Sequence, residues 1–347
     1  MLVVNTPGTW AHVYPPLLHA EWHGWTYTDT IFPFFLFVVG AAMVFSLGRR
    51  RATDPSPLPH VLRRTAWILG LGLALNIFAA LTFDRASIRI PGVLQRIAVC
   101  YFLAAVVYLV FGRKGVLPAA VVLLLGYWVL MTRVPVPGYG TGRLDVEGNL
   151  AAFVDRAVLG SHTWKHDPAW DPEGFLSTLP AAATTLFGVL AGILLLSDLS
   201  IERKVIRLLL WGWAGGVIGL LWNTLFPINK NLWTSSYAVF MAGLASAALG
   251  VCLWIVDMRG WKTATRPLVW LGSNALFLFV AGDVLAFLLL AIRVGSPRRS
   301  LYATIYRTVF DRFADPRLGS LLFALVYCAL WIGVAGLLYR KRIFIKV

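Results

Sequence analysis

The residues best suited to chemistry lie in one short stretch near the start of the chain. Residues 5–35 read NTPGTWAHVYPPLLHAEWHGWTYTDTIFPFF and hold three histidines and two acids just before a long apolar run. A histidine with its ordinary pKa of about 6.5 can take a proton from an amine or a hydroxyl at neutral pH, or attack a thioester itself. His19 is therefore a candidate general base or nucleophile.

Two other interpretations of these histidines stay open. A lone histidine in such a position is often structural. His19 and His23 are also four residues apart with Glu21 between them, and two such histidines could bind a metal from one helix face. Pro15 and Pro16 make a regular helix there doubtful, which weakens the metal hypothesis.

The acids of two stretches have both a structural and a functional interpretation. Thr28 or Asp29 precedes an apolar run and could cap the helix, because a carboxylate there satisfies free N–H groups. A capping aspartate can also orient a neighbouring histidine. In the same way, Asp171 could be an N-cap before Pro172 at the first helical position, with Glu173 in the first turn, or these acids could contact a polar acceptor.

The elements that must position these residues are membrane-spanning helices. Of the 347 residues, 59% are hydrophobic and only 14% are charged. This composition excludes a disordered chain, most water-soluble domains and a disulfide scaffold. Charge-free apolar runs long enough to cross a hydrocarbon core of roughly 30 Å lie at 30–48, 65–81, 93–111, 116–131, 177–197, 205–225, 233–256, 267–291 and 318–339.

The fold class predicted from these runs is an all-α integral membrane protein, a polytopic helical bundle with about nine complete transmembrane helices. The apolar stub MLVV before Asn5 looks like the remnant of a further N-terminal helix. We expect residues 1–347 to form a single transmembrane domain. Within it, 132–176 is expected to be an outer loop packed on the bundle, and 292–317 an outer amphipathic surface segment with apolar spacing at Leu301, Ile305, Val309 and Phe313.

The net charge of +15 is a signal of topology. One set of alternating loops, about 48 residues long, holds 17 Lys and Arg, whereas the other set, about 114 residues long, holds 14. The positive-inside rule places the first set, with Arg49–Arg51, Arg63 and Arg64, in the cytoplasm. The C-terminus then faces the cytoplasm and the His19 stretch the outer side. No nucleic-acid partner is needed to explain the charge, and no nucleotide-binding glycine motif occurs.

Polar side chains inside or beside apolar runs are functional candidates, because such groups are unfavourable in hydrocarbon unless they face a partner or a wet cavity. They are Asn76, Gln95, Arg96, Asn223, Asn274 and Asp283. Arg96 and Asp283 could equally be partners in a buried ion pair. The sequence alone leaves these alternatives open.

Six stretches carry a resemblance to a known family. They are VNTPG (4–8), HAEWHGWTYTDTIFPFFLFVVGAA (19–42), RIPGVLQRIAVCY (89–101), DPEGFLSTLPA (171–181), PINKNLWTSSY (227–237) and LGSNALF (271–277). In these ordered blocks the chain resembles the transmembrane acetyltransferases related to heparan-alpha-glucosaminide N-acetyltransferase and their bacterial homologues. Family members usually have about ten helices, the first containing an Asp-x-x-Arg-Gly stretch, and this sequence begins just after the matching position.

The resemblance implies that acetyl-CoA, as a co-substrate, binds from the cytoplasmic side of a bilayer, which we expect to be the bacterial inner membrane. Its acetyl group would pass to an amine or hydroxyl of a sugar or glycan acceptor outside. The resemblance assigns His19 as the active histidine, Asn5 as a contact to the acetyl group or oxyanion, and Asp29 as the acid before the following helix. Direct transfer and an acetyl-histidine intermediate both remain open, and no metal is expected.

The remaining polar residues divide between the two substrates. Acceptor contacts are expected from Glu21, Trp22, Asp171, Glu173, Asn229 and Lys230. Contacts to acetyl-CoA are expected from Arg63, Arg64, Gln95, Arg96 and Asn274, with Arg63 and Arg64 binding phosphate groups. Homo-oligomerisation stays open, and a polytopic transporter or permease for a small polar or anionic solute is the alternative function.

Overall fold

The structure is a computed structural model that describes residues 1–51, 56–166, 169–295 and 298–345. The helices are α1 (Leu2–Asn5), α2 (Ile31–Arg51), α3 (Leu58–Thr82), α4 (Val93–Arg133), α5 (Leu150–Leu159), α6 (Thr178–Leu195), α7 (Ile201–Trp222), α8 (Ser235–Leu253), α9 (Arg266–Ser273), α10 (Ala275–Ala291), α11 (Leu301–Ile305) and α12 (Pro316–Arg340). Two short antiparallel hairpins pair β1 (Lys165–His166) with β2 (Ala169–Trp170), and β3 (Arg293–Val294) with β4 (Arg299–Ser300). The predicted all-α class is confirmed.

Shorter helical turns extend several of these elements. They lie at Pro15–Leu17, Tyr27–Thr30, Trp254–Met258 and Tyr306–Phe310. The predicted cytoplasmic loop after α2 falls partly on residues 52–55, which lie outside the described residues, as do the side chains of Arg49–Arg51.

Helix α4 is two helices that fold back on each other. Its 41 residues would extend about 60 Å if straight, roughly twice the hydrocarbon thickness of a bilayer. Gly112 interrupts it with φ 63° and ψ −164°. The Arg96 guanidinium lies 5.2 Å from the centre of the Trp233 ring, while the Tyr127 hydroxyl donates to the neighbouring Leu232 carbonyl at 2.6 Å. Because both halves reach one loop, the chain reverses at Gly112.

This reversal reconciles the helix count with the sequence. Among the described residues, seven helices are long and apolar enough to cross a membrane, or eight if the bent pair α9 and α10 forms one span. With α4 counted as two crossings, these elements correspond to the nine predicted spans. Many of their large apolar side chains face outward, such as Trp213 and Leu221 of α7, which are 71% and 66% exposed. Such a surface fits a lipid environment.

The crossings alternate in direction, so the connecting segments collect at two ends of the bundle. At one end, which we name the His19 end, the Trp22 indole donates to the Leu144 carbonyl at 2.8 Å and Tyr14 donates to Asp315 at 2.9 Å. The opposite end, the Arg63 end, carries the start of α3 and the end of α12. The residues of the His19 stretch are therefore separated from Arg63 and Arg64 by the length of the helices.

The segments 132–176 and 292–317 both lie at the His19 end. Helix α5 of the first segment buries Leu150, Ala151 and Asp155. In the second segment, α11 and the following turn bury Tyr302 and Tyr306 against the bundle. Two of the four apolar residues noted in the sequence remain exposed, Val309 at 55% and Phe313 at 41%. Their membrane-surface role stays a prediction.

Helices α2 and α6 approach each other through glycines. A Cβ atom at Gly188 would overlap the Phe37 carbonyl oxygen, and one at Gly40 would overlap the Thr185 carbonyl oxygen. Small residues allow such close backbone contact, which is a common way for helices to pack in membranes. This contact fixes the position of α2, the helix that follows the His19 stretch in the chain.

We expect Gly188→Ala to destabilise the protein by roughly 1–3 kcal/mol, because the added methyl forces the two backbones apart. Gly126→Ala on α4 is the matched control, since a Cβ there would meet nothing within 4 Å. Thermal unfolding of both variants in the same detergent checks the prediction. A melting temperature for Gly188→Ala equal to that of Gly126→Ala would contradict it.

Candidate active site

His19 and Asp29 form a hydrogen-bonded pair at the His19 end. The His19 Nδ1 atom lies 2.6 Å from the Asp29 Oδ1 atom, with the histidine side chain 51% exposed and the aspartate 1% exposed. With a hydrogen on Nδ1, the imidazole donates to the carboxylate and its Nε2 atom is left as a base. A buried carboxylate that orients an accessible imidazole in this way is the arrangement used for general-base catalysis.

The backbone before α2 fixes Asp29. Its Oδ2 atom accepts hydrogen bonds from the N–H groups of Ala20 at 3.1 Å and Thr26 at 2.9 Å. Thr26 and Asp29 form a capping box around the turn Tyr27–Thr30 that leads into α2. The prediction that Thr28 or Asp29 is the N-cap is therefore wrong: Thr26 takes that position, because Asp29 reaches back to its backbone N–H.

Tyr237 of α8 also holds the turn Tyr27–Thr30 in place. It is fully buried, and its hydroxyl donates to the Asp29 carbonyl oxygen at 2.6 Å. Asp29 is thereby fixed through both its carboxylate and its backbone. The carboxylate that orients His19 consequently belongs to the rigid packed bundle rather than to a free loop.

Lys230 completes this group from a distant part of the chain. Its Nζ atom lies 3.0 Å from Nδ1 and 3.2 Å from Nε2 of His19, and 3.7 Å from Asp29 Oδ1. A position nearly equidistant from both ring nitrogens lies across the ring face, so the lone pair of Nε2 stays accessible in the ring plane. Burial lowers the pKa of the Lys230 amine, although the Asp29 carboxylate acts in the opposite direction.

The loop before α8 positions Lys230. Fully buried Asn229 accepts from the Leu232 N–H at 2.9 Å, and its side-chain nitrogen lies 3.3 Å from His23 Nδ1. The Gly24 N–H donates to the Ile228 carbonyl at 2.7 Å. The two halves of the site are thus joined by backbone and side-chain hydrogen bonds. Asn229 serves this connection, and its predicted contact with an acceptor stays a prediction.

A second charged cluster lies beside this group. Arg89 donates through Nε to Asp171 Oδ2 at 2.8 Å and through Nη2 to both Asp171 Oδ1 and Glu173 Oε2. Burial alone would raise the pKa of the Glu173 carboxyl, but the charges of Arg89, Arg96 and Lys230 hold it below its ordinary value. Glu173 therefore couples Arg89 electrostatically to Lys230.

The interpretation of Asp171 as an N-cap, one of the two that the sequence leaves open, is wrong. Helix α6 begins at Thr178, with Ser177 at the N-cap position. Asp171 instead pairs with Arg89 and accepts from the N–H groups of Trp164 at 2.8 Å and Glu173 at 2.9 Å. These charge-assisted bonds occupy both carboxylate oxygens, because an arginine fork is a stronger partner than a helix end. Direct contact of Asp171 with an acceptor stays untested.

Arg96 lies in the interior between these clusters. It is 2% exposed, stacks over the Trp233 ring and donates through Nη2 to the Gly174 carbonyl at 3.0 Å and the Ser177 hydroxyl at 2.5 Å. Its Nε and Nη1 atoms have no hydrogen-bond partner in the described part of the chain. The ion pair with Asp283 that the sequence left open does not form. Buried donors without partners are unfavourable, so Arg96 remains a candidate ligand contact.

Asp155 is a third buried acid next to this cluster. It is 1% exposed and accepts from the Phe175 N–H at 2.9 Å. Burial raises the pKa of its carboxyl to about 6, although the Phe175 N–H acts against the shift. Because the folded state holds this proton more tightly than the unfolded chain does, the contribution of Asp155 to stability is largest at low pH and is lost as the pH rises through 6.

We expect Asp155→Asn to be more stable than the unchanged protein at pH 7, by roughly 3 kcal/mol at 1.36 kcal/mol per pKa unit. The amide keeps an oxygen for the Phe175 N–H but carries no charge to desolvate. Melting temperatures measured from about pH 4 to pH 7.5 should converge at the acid end. Parallel curves for the two proteins would contradict the assignment of the titration to Asp155.

Two cavities follow the interface between α3 and α10. The first, of about 320 Å³, lies at the Arg63 end and is lined by His60, Arg63, Arg64, Trp67, Leu71, Leu276, Phe277, Val280 and Ile345. The second, of about 230 Å³, begins one residue further along α3, and its wall includes Asn76, Gln95, Asp283 and Arg89. Arg63 and Arg64 therefore share one cavity, and Gln95 lies in the next.

Asn274 occupies the break between α9 and α10, which bend by 80° there. Its amide donates to the Ile343 carbonyl at 3.1 Å, and its oxygen accepts from the Ile345 N–H at 2.8 Å. Asn274 thus binds the C-terminal segment, whose Ile345 lines the first cavity. Its predicted contact with acetyl-CoA stays untested.

Comparison with known proteins connects this site to a family. Residues 9–139 match the family model described as heparan-alpha-glucosaminide N-acetyltransferase, catalytic. The chain is 28% identical, over an alignment of 387 positions, to heparan-alpha-glucosaminide N-acetyltransferase of Homo sapiens, covering 95% of this chain and 55% of that protein. The chain is similar to the heparan-alpha-glucosaminide N-acetyltransferases. The Mus musculus protein of the same name is 26% identical over 386 residues, covering 95% and 56%.

The family resemblance seen in the sequence is confirmed, and the chain spans about half the length of the curated relatives it matches. The segment that matches the catalytic family model contains His19, Asp29 and Arg89. Lys230 and the acids at 171 and 173 lie beyond it. The family model therefore covers the His19–Asp29 pair, and the packing of the chain brings Lys230 to this pair.

For the remaining predicted residues, the described part of the structure shows no hydrogen bond to His19 or Asp29. Asn5 is exposed at the end of α1, and Glu21 is exposed beside His19. Trp22 is half-buried and makes an edge contact with Trp170 at 5.3 Å. Within the described ranges, no group of three His, Cys, Asp or Glu residues could hold a metal ion. The roles of Asn5, Glu21 and Trp22 stay predictions.

Proposed function

We propose that the chain is a membrane acetyltransferase that moves an acetyl group from acetyl-CoA to an amine, or to a hydroxyl, of a sugar acceptor. The observation that carries the proposal is the His19–Asp29 pair, with an accessible imidazole on a buried carboxylate, inside the segment that matches the catalytic family model. Because the curated relatives are named for N-acetylation of a glucosaminide, an amino sugar is the first acceptor to test.

The proposed sidedness follows from charge and chemistry. The Arg63 end faces the cytoplasm, where acetyl-CoA is available and the loops are rich in Lys and Arg. The His19 end faces outward, in a bacterial cell into the space beyond the inner membrane. Acetyl-CoA enters at the cavity lined by Arg63 and Arg64, whose guanidinium groups suit its phosphates. Its thioester extends toward His19, where the acceptor arrives from the other side.

The proposed reaction is direct transfer in a ternary complex. The acceptor nitrogen attacks the thioester carbonyl while His19 Nε2 takes its proton, and Asp29 stabilises the resulting imidazolium. The Lys230 amine is the nearest donor to the reacting nitrogen and stabilises the oxyanion of the tetrahedral intermediate. The carbon–sulfur bond then breaks, and His19 returns the proton to the CoA thiolate.

The deciding experiment measures acetyl-CoA consumption by the purified protein in proteoliposomes, with a panel of amino sugars and their hydroxyl analogues on the outer side. Production of CoA and acetylated sugar in equal amounts supports the proposal. If acetyl-CoA is neither bound nor consumed with any acceptor, the proposal is wrong, and solute uptake by the same vesicles would favour the permease. Labelling of the protein by radioactive acetyl-CoA without an acceptor would replace direct transfer with an acetyl-histidine intermediate.

A further inference from the structure

Asp283 of α10 has a carboxylate that no other described residue satisfies. It is half-buried and lines the second cavity between α3 and α10. In the part of the chain that the structure describes, it forms neither a hydrogen bond nor an ion pair. A carboxyl group at such a depth is unfavourable unless it meets a partner, so an ionisable residue facing an intramembrane cavity indicates a function.

Three of the neighbouring polar side chains already have hydrogen-bond partners, whereas Arg85, which lines the same cavity, stacks over the Phe83 ring. The Asn76 amide donates to the carbonyls of Arg89 at 2.7 Å and Pro91 at 2.9 Å, and the Gln95 amide donates to the Ile90 carbonyl at 3.1 Å. Arg89, also on this wall, is held by Asp171 and Glu173. These bonds shape the cavity from the loop 89–92. Asp283 is left as the acceptor that faces the space they enclose.

The cavity suits a narrow chain with amide groups. Much of its wall is apolar, including Leu75, Ala79, Phe279 and Phe287, and its volume is about 230 Å³. A carboxylate on such a wall accepts a hydrogen bond strongly, because the surroundings exclude competing water. An amide N–H or a hydroxyl of a bound chain satisfies it without introducing a charge.

The order of chemistry along the bundle matches the order of groups in acetyl-CoA. Cationic Arg63 and Arg64 line the first cavity, where phosphates would lie. Asp283 follows in the second cavity, and Arg89 at its far edge bonds Glu173, which interacts with Lys230 over the His19 ring. Acetyl-CoA runs from phosphates through two amides to a thioester. Along the bundle these groups would meet the Arg63 and Arg64 cations first, the Asp283 carboxylate next and the His19–Asp29 pair last.

We propose that Asp283 accepts a hydrogen bond from the amide-containing pantetheine arm of the acyl donor and holds it midway through the bundle. This inference rests on the proposed acetyl-CoA-dependent function, and it identifies a subsite for the arm that is separate from the phosphate site. Asp283 is a binding residue for the donor and takes no part in proton transfer at the acceptor.

The test compares two probes on the full chain in nanodiscs by calorimetry. CoA carries the arm, whereas adenosine 3′,5′-bisphosphate carries phosphates but no arm. We expect Asp283→Leu to weaken CoA binding about tenfold to a hundredfold, the range for a hydrogen bond to a charged group, and to leave bisphosphate binding unchanged. Arg64→Gln is the matched control and should weaken both probes.

Asp283→Asn keeps a side-chain oxygen and should lose less CoA affinity than Asp283→Leu. Both variants should melt at or above the temperature of the unchanged protein, because an unpaired carboxyl is removed from the bundle. Equal CoA affinity in Asp283→Leu and the unchanged protein, or equal weakening of both probes, would overturn the subsite. Stabilisation by sodium ions that disappears in Asp283→Leu, with CoA affinity unchanged, would also overturn it and indicate a cation site. Failure of the unchanged protein to bind either probe would instead refute the proposed donor.

Discussion

We expect the His19→Ala variant to transfer acetyl groups about 10² to 10⁴ times more slowly than the unchanged protein, the range that general acid–base catalysis supplies. His19 is the accessible member of the pair, with its Nδ1 atom 2.6 Å from Asp29. Without it, the attacking amine keeps its proton and the CoA thiolate lacks a donor. The loss should appear in kcat, whereas the KM for acetyl-CoA should change little, because the proposed donor site lies along α3 and α10.

The matched control is His23→Ala. His23 lies four residues from His19 and contacts Asn229 rather than Asp29. The His23→Ala variant should therefore keep most of the acetyl-transfer rate. Asp29→Asn should reduce the rate in the same direction as His19→Ala, because an amide cannot stabilise the imidazolium. Added imidazole should restore part of the activity of His19→Ala but none of that of Asp29→Asn. Equal turnover by His19→Ala and the unchanged protein would remove His19 from the mechanism.

The sequence indicated that Asp29 could orient a neighbouring histidine, because both members of the His19–Asp29 pair lie within one segment of 31 residues. Asp29 stands at a helix start for structural reasons, and the same position places it against a histidine ten residues earlier. The sequence predicts only an acceptor contact for Lys230, because nothing in a linear sequence shows that residue 230 returns to the face of residue 19. Tyr237 gave no polar signal at all, since a tyrosine at the start of an apolar helix is usual at a membrane interface.

Helix topology was predictable for a similar physical reason. In a membrane the backbone must satisfy its own hydrogen bonds, so apolar runs report helices reliably. Gly112 separates two such runs, and the reversal of α4 there agrees with the pattern. The predicted span 177–197 begins within one residue of α6, but the interpretation of Asp171 and Pro172 as a helix start is wrong. These two residues favour a helix locally, whereas Arg89, 82 residues earlier, binds the Asp171 carboxylate. A local sequence pattern cannot show that a distant residue binds the same side chain.

Replacement of Arg89 by leucine is expected to cause the largest loss of stability, about 3–5 kcal/mol, the cost of leaving one side of a buried ion pair without its partner. The Asp171 side chain is fully buried and that of Glu173 is 8% exposed. Burial alone would lower the pKa of Arg89, yet the two carboxylates hold it above its ordinary value. Without the guanidinium, both carboxylates remain buried without their cationic partner.

A solvent-exposed arginine–aspartate pair in the same chain provides the matched control. Arg143 Nε lies 2.6 Å from Asp145 Oδ1, but both side chains are about half exposed, at 53% and 42%. Arg143→Leu should therefore melt close to the unchanged protein, since solvent screens exposed pairs. Adding Asp171→Asn and Glu173→Gln to Arg89→Leu should recover much of the loss, because it removes the uncompensated charges. If Arg89→Leu melts at the same temperature as Arg143→Leu, the cluster does not act as a buried ion pair, and its link to Lys230 must be reconsidered.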